Sequence, residues 1–199
     1  MMKRKIVFAT NNAHKLEELR RIVGEGFEIL SLADIGCHDD IPETADTIEG
    51  NARIKACWVR ERYGFDCFAD DTGLFVDSLD GAPGVRSARY AASEGEEGHD
   101  SAANTALLLR NLQGKADRRA RFRTVIALTE GSDIRLFEGK VEGEIIEQPA
   151  GCGGFGYDPV FRPEGWTKTF AEATADEKNA VSHRGRATRL LIDYLNGKQ

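Results

Sequence analysis

A chain of 199 residues is long enough for one domain with a sizeable core, and 41% hydrophobic with 30% charged residues is the balance of a soluble globular protein. The formal net charge of −6 excludes a general nucleic-acid binder, which needs a basic face, but leaves room for a local basic pocket suited to a small polyanion. Cys37, Cys57, Cys67 and Cys152 form no CxxC pair and have no zinc spacing, so they read as reduced packing residues of a cytoplasmic protein.

The charged start at residues 1–5 is followed by only four apolar residues, too few for a signal peptide or a membrane span. Residues 5–10 are apolar and β-rich and predict a first strand. A helix follows with Leu16, Leu19, Ile22 and Val23 on one face and Gly24 as its stop. Residues 27–32 predict a second strand. Cys37-His38-Asp39-Asp40 reads as a polar loop, since no second ligand pair completes a metal site. Asp46 and Glu49 have capping-box spacing ahead of a helix to about residue 63, whose apolar face carries Ile48, Ala52, Ala56 and Val59, with Asn51 and Lys55 near one edge. Residues 65–69 predict a third strand that ends on Asp70-Asp71, and residues 74–76 a short return strand. A turn over 80–84 leads to helical stretches near 86–91 and 101–112, the latter capped by Asp100, with an acidic loop at 94–99 between them. Residues 120–128 and 134–146 read as a hairpin turning at 130–132. A short strand at 159–161, a capping box from Thr174 to Glu177, and a final helix with Ala187, Leu190, Leu191, Tyr194 and Leu195 in phase complete a single mixed α/β domain spanning 1–199.

Four polar clusters stand at strand exits or helix entries. Thr10, Asn11, Asn12, Ala13, His14 and Lys15 offer helix-terminal amides and an ammonium, which suit a phosphate; a plain helix cap is the alternative. Asp70 and Asp71, adjacent on a strand, need donors or a cation to stay ionised, and a hard divalent ion takes one or two carboxylates plus substrate phosphates. Glu43, Asn51, Lys55 and Thr72 can share their cleft if the second helix neighbours the third strand. The stretch 151–159 contains GxGxxG, but Pro159 and Pro163 forbid the helix that a dinucleotide fingerprint requires. Its glycines allow close backbone approach, and Phe155 or Tyr157 can present a flat face to a base, unless both are tucked into the core. Lys178, Ser182, His183 and Arg184 place cations at a helix start, where the dipole prefers anions, a violation that suggests a binding site.

The segments 8–15, 69–74, 81–90, 153–161 and 182–185 occur in the order found in the inosine/xanthosine triphosphate pyrophosphatases, and the chain resembles that family over nearly its whole length. The resemblance implies a long twisted mixed sheet flanked by helices, two lobes with an active-site cleft between them, and a homodimer. It implies hydrolysis of ITP, dITP and XTP to the monophosphate and pyrophosphate with Mg2+. It places the triphosphate on Thr10 to Lys15, the metal on Glu43 and Asp71, and proton acceptance at Asp71 with Asp70 beside it. Thr72, Phe155, Gly156, Tyr157, Asp158, Lys178, His183 and Arg184 fall at nucleotide-contacting positions, and Lys55 adds positive charge. Thr72 replaces the commoner serine and keeps its hydroxyl, while residues 46–51 lack a phenylalanine often found there. A pyrophosphatase for modified pyrimidine triphosphates is the rival enzyme, and a non-catalytic nucleotide-binding module the rival class.

Overall fold

The computed structural model describes residues 3–23, 26–94 and 100–197. Its elements, in chain order, are β1 (Arg4–Phe8), α1 (Ala13–Val23), β2 (Phe27–Leu30), α2 (Ile48–Tyr63), β3 (Cys67–Val76), β4 (Pro83–Gly84), α3 (Ser101–Asn111), β5 (Arg119–Glu130), β6 (Asp133–Ile145), β7 (Phe161–Pro163), α4 (Ala175–Val181) and α5 (His183–Leu195). The strands form a mixed seven-stranded sheet ordered β2-β1-β3-β5-β6-β7, with β4 paired to β3. β1 runs parallel to β2 and β3, with Phe8 opposite Phe68, whereas β3–β4 and β6–β7 are antiparallel. Among the described residues no helix is long and apolar enough to cross a membrane.

The chain folds into two compact units, one from Met1–Asp71, Thr124–Gly139 and Arg184–Gln199, the other from Thr72–Arg123 and Lys140–His183. The first unit buries Ile6 and Phe8 of β1, Leu19 and Val23 of α1, Phe68 of β3, Ile126 and Leu128 of β5, and Ala187 and Leu191 of α5. Phe8 and Phe68 stack at 4.7 Å between ring centroids. The second unit buries Leu74, Val76, Leu108, Phe122, Phe161 and Phe170, with Phe122 edge-on to Phe161 at 4.7 Å.

Helix α2 starts one residue later than the acidic spacing suggests. Its N-cap is Thr47, whose hydroxyl accepts from the Gly50 amide at 3.0 Å, so the cap falls on the residue with extended backbone (φ −134°) and the Asp46–Glu49 box does not form. Gly64, left-handed at φ 73°, closes the helix by donating to Arg60 O. The Asp100 cap and the Thr174–Glu177 capping box form as the spacing predicts. The stretch near 86–91 is two 3-10 turns, Ser87–Arg89 and Ala91–Glu94, instead of an α-helix. The short strand near 160 is shifted to Phe161–Pro163, and Leu190 is exposed although in phase with its helix. Gly24 and most of the acidic 94–99 loop lie outside the described residues.

The largest departure is β3. It does not stop at the aspartates: Asp70 and Asp71 sit in the middle of ten residues of continuous strand, and residues 74–76 are its second half. Neighbouring side chains on a strand point to opposite faces, so the two carboxylates are separated instead of crowded side by side. Asp70 shares the face of Phe68, towards α1 and α5, while Asp71 turns to α2.

Candidate active site

In the first unit, β1 delivers its chain to α1 through residues 9–12, and Asn12 caps the helix by accepting from the Lys15 amide at 3.2 Å. Thr10 Oγ1 in turn accepts from the Asn12 amide at 3.1 Å, which fixes the loop. Asn11, Asn12, Ala13 and His14 are exposed at this helix start, with Thr10 and Lys15 half-buried behind them. Lys15 reaches inward, and its Nζ donates to Asp70 Oδ1 at 2.9 Å. The other Asp70 oxygen accepts from Arg184 Nε at 3.2 Å. Arg184, buried at the start of α5, also pairs through Nη1 with Glu18 of α1.

On the opposite face of β3, Asn51 Nδ2 donates to Asp71 Oδ2 at 3.2 Å, and Lys55 Nζ lies 3.5 Å from Asp71 Oδ1. The same ammonium bonds Glu43 Oε1 at 2.7 Å. One positive charge is therefore already held between Glu43 and Asp71, the pair that sequence assigns to a metal. Both are hard oxygen donors of the kind a divalent ion accepts. Among the described residues no group of three or more His, Cys, Asp or Glu side chains gathers that could hold a metal ion.

The two adjacent aspartates titrate in opposite senses. Burial alone pushes Asp70 up, but Lys15, Arg184 and Lys55 outweigh it and hold the carboxyl well below the usual range. Burial also pushes Asp71 up, and there Lys55 and Lys15 do not fully offset it, with Glu43 and Asp70 adding to the rise. Lys55 itself is raised: its three carboxylate neighbours overcome the burial that would lower it. Lys15 is lowered, because burial outweighs the attraction of Asp70. Opposed shifts of this kind divide acid–base roles between neighbouring carboxylates.

In the second unit, a buried ion pair joins Lys178 Nζ to Asp158 Oδ2 at 2.8 Å, and the same oxygen accepts from the Phe155 amide. The lysine ammonium stands 4.6 Å from the centre of the half-buried Phe155 ring. Gly154, left-handed at φ 70°, has no room for a Cβ against the Asp158 carboxylate. Gly156 is left-handed too, at φ 63°. Tyr157 is in the core, its hydroxyl donating to Ser87 O at 2.7 Å, so of the two aromatics Phe155 is the one that is not buried. His183 is buried and stacked on Phe122 at 4.6 Å, with the rings nearly parallel. Thr72 is half-buried in β3 immediately after Asp71.

Sequence reasoning missed Glu18. Its signal is present: it lies three residues after Lys15 on α1, hence on the same helix face. Nothing in the sequence alone pairs it with an arginine at position 184.

Comparison with known proteins bears on this geometry. The model of the Ham1 family matches residues 6–194. The chain belongs to the Ham1 family. Within it, a Flavobacterium psychrophilum protein named dITP/XTP pyrophosphatase is 53% identical over 190 residues, covering 96% of this chain and 98% of its own. A Porphyromonas gingivalis protein of the same name is 54% identical over 192 residues, covering 96% and 97%. The solved structure of the Staphylococcus aureus Ham1 protein superposes with a TM-score of 0.88 at 34% identity, covering 98% of this chain and all of that one. A Mycobacterium abscessus structure described as a nucleoside-triphosphatase or dITP/XTP pyrophosphatase gives 0.76 at 45% identity, covering 94% and 98%. The mixed sheet flanked by helices is thus the fold of this Ham1 protein and of its relatives.

Proposed function

We propose that this Ham1 protein hydrolyses non-standard purine nucleoside triphosphates, ITP, dITP and XTP, to the monophosphate and pyrophosphate. The observation that carries the chemistry is the pair of adjacent buried carboxylates turned to opposite faces of one strand, with three cations around them. The substrate class is supported by the names of relatives more than half identical over nearly the full chain, which do not favour a pyrimidine specificity.

Phosphoryl transfer depends on positioning and charge neutralisation more than on covalent chemistry. The exposed amides at the start of α1, with Lys15, receive the triphosphate tail; Lys55 offsets further charge. Glu43 and Asp71 would hold a magnesium ion, which when bound would supply Lewis-acid stabilisation of phosphate charge. Asp70, with both oxygens engaged by Lys15 and Arg184, stays ionised and fixes those two cations. Asp71, held by one neutral amide and one ammonium where Asp70 has both oxygens bound by cations, is the proton acceptor. It takes the proton of the water that attacks the α-phosphorus. The bond from that phosphorus to the bridging oxygen breaks, and pyrophosphate leaves.

In the second unit, Phe155 offers a stacking face, with the Gly156 and Tyr157 backbone beside it, and Asp158, Lys178 and His183 supply polar contacts for the base. A donor from His183, Arg184 or nearby backbone to the purine 6-oxygen leaves an unpaired donor when adenine is offered, and such a group discriminates strongly. The remaining features of the reading are a homodimer and a place in the cytoplasm.

The deciding experiment is pyrophosphate release from ITP, dITP and XTP beside ATP and GTP, with and without magnesium. Selective, magnesium-dependent release from the first three is expected. Equal rates on all five, or none without regard to metal, overturn the proposal.

A further inference from the structure

Asn51 is 2% exposed and serves two segments at once. Its Oδ1 accepts the Ala45 amide at 2.9 Å, and its Nδ2 donates to Asp71 Oδ2 at 3.2 Å. The orientation of the amide is forced, since the Ala45 N–H needs an acceptor and the Asp71 carboxylate a donor. Ala45 follows Glu43 by two residues. A single side chain thus ties the loop bearing one carboxylate to the strand bearing the other.

The tie is built closely. At Gly50, the residue before Asn51, a Cβ would stand 2.5 Å from the Ala45 Cβ, so a glycine is what lets the loop lie against α2. Lys55, one helical turn beyond Asn51, ion-pairs with the same Glu43 and Asp71. The two residues act differently. The grip of Lys55 is a charge that competes with any cation arriving between the carboxylates. The grip of Asn51 is neutral and does not.

Resting on the function proposed above, we infer that Asn51 is a positioning residue of the hydrolytic site: it fixes the separation of Glu43 and Asp71 and turns Asp71 Oδ1 toward the space between them. Asparagine is specified because the position needs one acceptor and one donor in a small planar group. Aspartate keeps the acceptor for Ala45 but sets a like charge against Asp71. Alanine loses both contacts.

Asn51→Leu and Asn51→Ala test this, both uncharged, with the leucine of similar size guarding against a cavity left by the alanine. Mn2+ affinity is read by electron paramagnetic resonance without nucleotide, and steady-state rates are measured on ITP at saturating magnesium. Partners of ligating carboxylates typically cost about 10–100-fold in metal affinity or activity. We expect a Mn2+ dissociation constant raised by roughly tenfold or more, kcat lowered by about 10–100-fold, and KM for ITP within about twofold, since Lys15 is untouched. Wild-type Mn2+ affinity in a folded Asn51→Leu variant overturns the inference. So does a kcat loss that merely tracks a fall in melting temperature at constant Mn2+ affinity. If the wild type releases no pyrophosphate from ITP, the functional proposal fails, while the Mn2+ measurement still decides the tie.

Discussion

Asp70 and Asp71 carry the same functional group on consecutive residues, and only their partners make them different. Asp71→Asn removes the basic oxygen while keeping the size and the Asn51 contact, so turnover of ITP is expected to fall by at least about 100-fold, the lower range for loss of a general base. A melting temperature close to wild type is expected alongside; a near-normal kcat sinks the role. Asp70 predicts a different phenotype. Its folded-state pKa lies below the ordinary value of about 3.9, so its stabilisation is fully present above that pH and is lost as the pH falls through the folded value. Asp70→Asn takes the carboxylate from Lys15 and leaves Arg184 with its Glu18 pair, and breaking a buried pair from one side costs about 3–5 kcal/mol. Denaturant unfolding at pH 7 should show a gap of that order between variant and wild type, narrowing below about pH 4 as the wild-type carboxyl protonates first in the unfolded chain and then in the folded one. A gap independent of pH contradicts the assignment.

At the scale of elements, the helices deliver most of the site. One turn of α2 carries Asn51 and Lys55, and that turn begins at the Thr47 cap. Thr47→Ala should cost about 1 kcal/mol of stability, seen as a lowered unfolding midpoint with unchanged denaturant slope. An unchanged midpoint means the hydroxyl does not hold the helix start. The apolar stripes of α1 and α2 and the caps at Asp100 and Thr174 were legible because each is written within a few residues. The path of β3 was not, since Asp70-Asp71 reads locally as a polar stop. What permits two buried carboxylates in a strand comes from elsewhere: Lys15 is 55 residues away and Arg184 is 114. No local pattern carries that. The candidate residues, by contrast, stand out in the sequence as clusters, because cations at a helix start and acids in an apolar run both violate local rules. Tyr157 marks the limit. In a glycine loop, sequence does not say which of two aromatics is buried, and its hydroxyl bond to Ser87 is a contact across 70 residues.

At the scale of the whole molecule, each unit is assembled from separated stretches of chain, so the site residues of the first unit come from residues 10–71 and from Arg184 near the far end. Such a site is ordered only when the first unit is folded, and a ligand that binds it stabilises that unit by mass action. At a hundredfold excess over its dissociation constant, a ligand adds about 2.7 kcal/mol. For a chain of this size, about 2–4 °C follows for each kcal/mol, so a non-hydrolysable ITP analogue with magnesium should raise the melting temperature by roughly 5–11 °C. The shift should shrink in Lys15→Ala, which loses the ammonium at the α1 start, and the same variant should show a raised KM for ITP. Because Lys15→Ala also strands Asp70, each protein is compared with its own ligand-free melting temperature. An undiminished shift in the variant removes Lys15 from the triphosphate site. An equal shift with the matching ATP analogue shows instead that base selection is not made at the binding step.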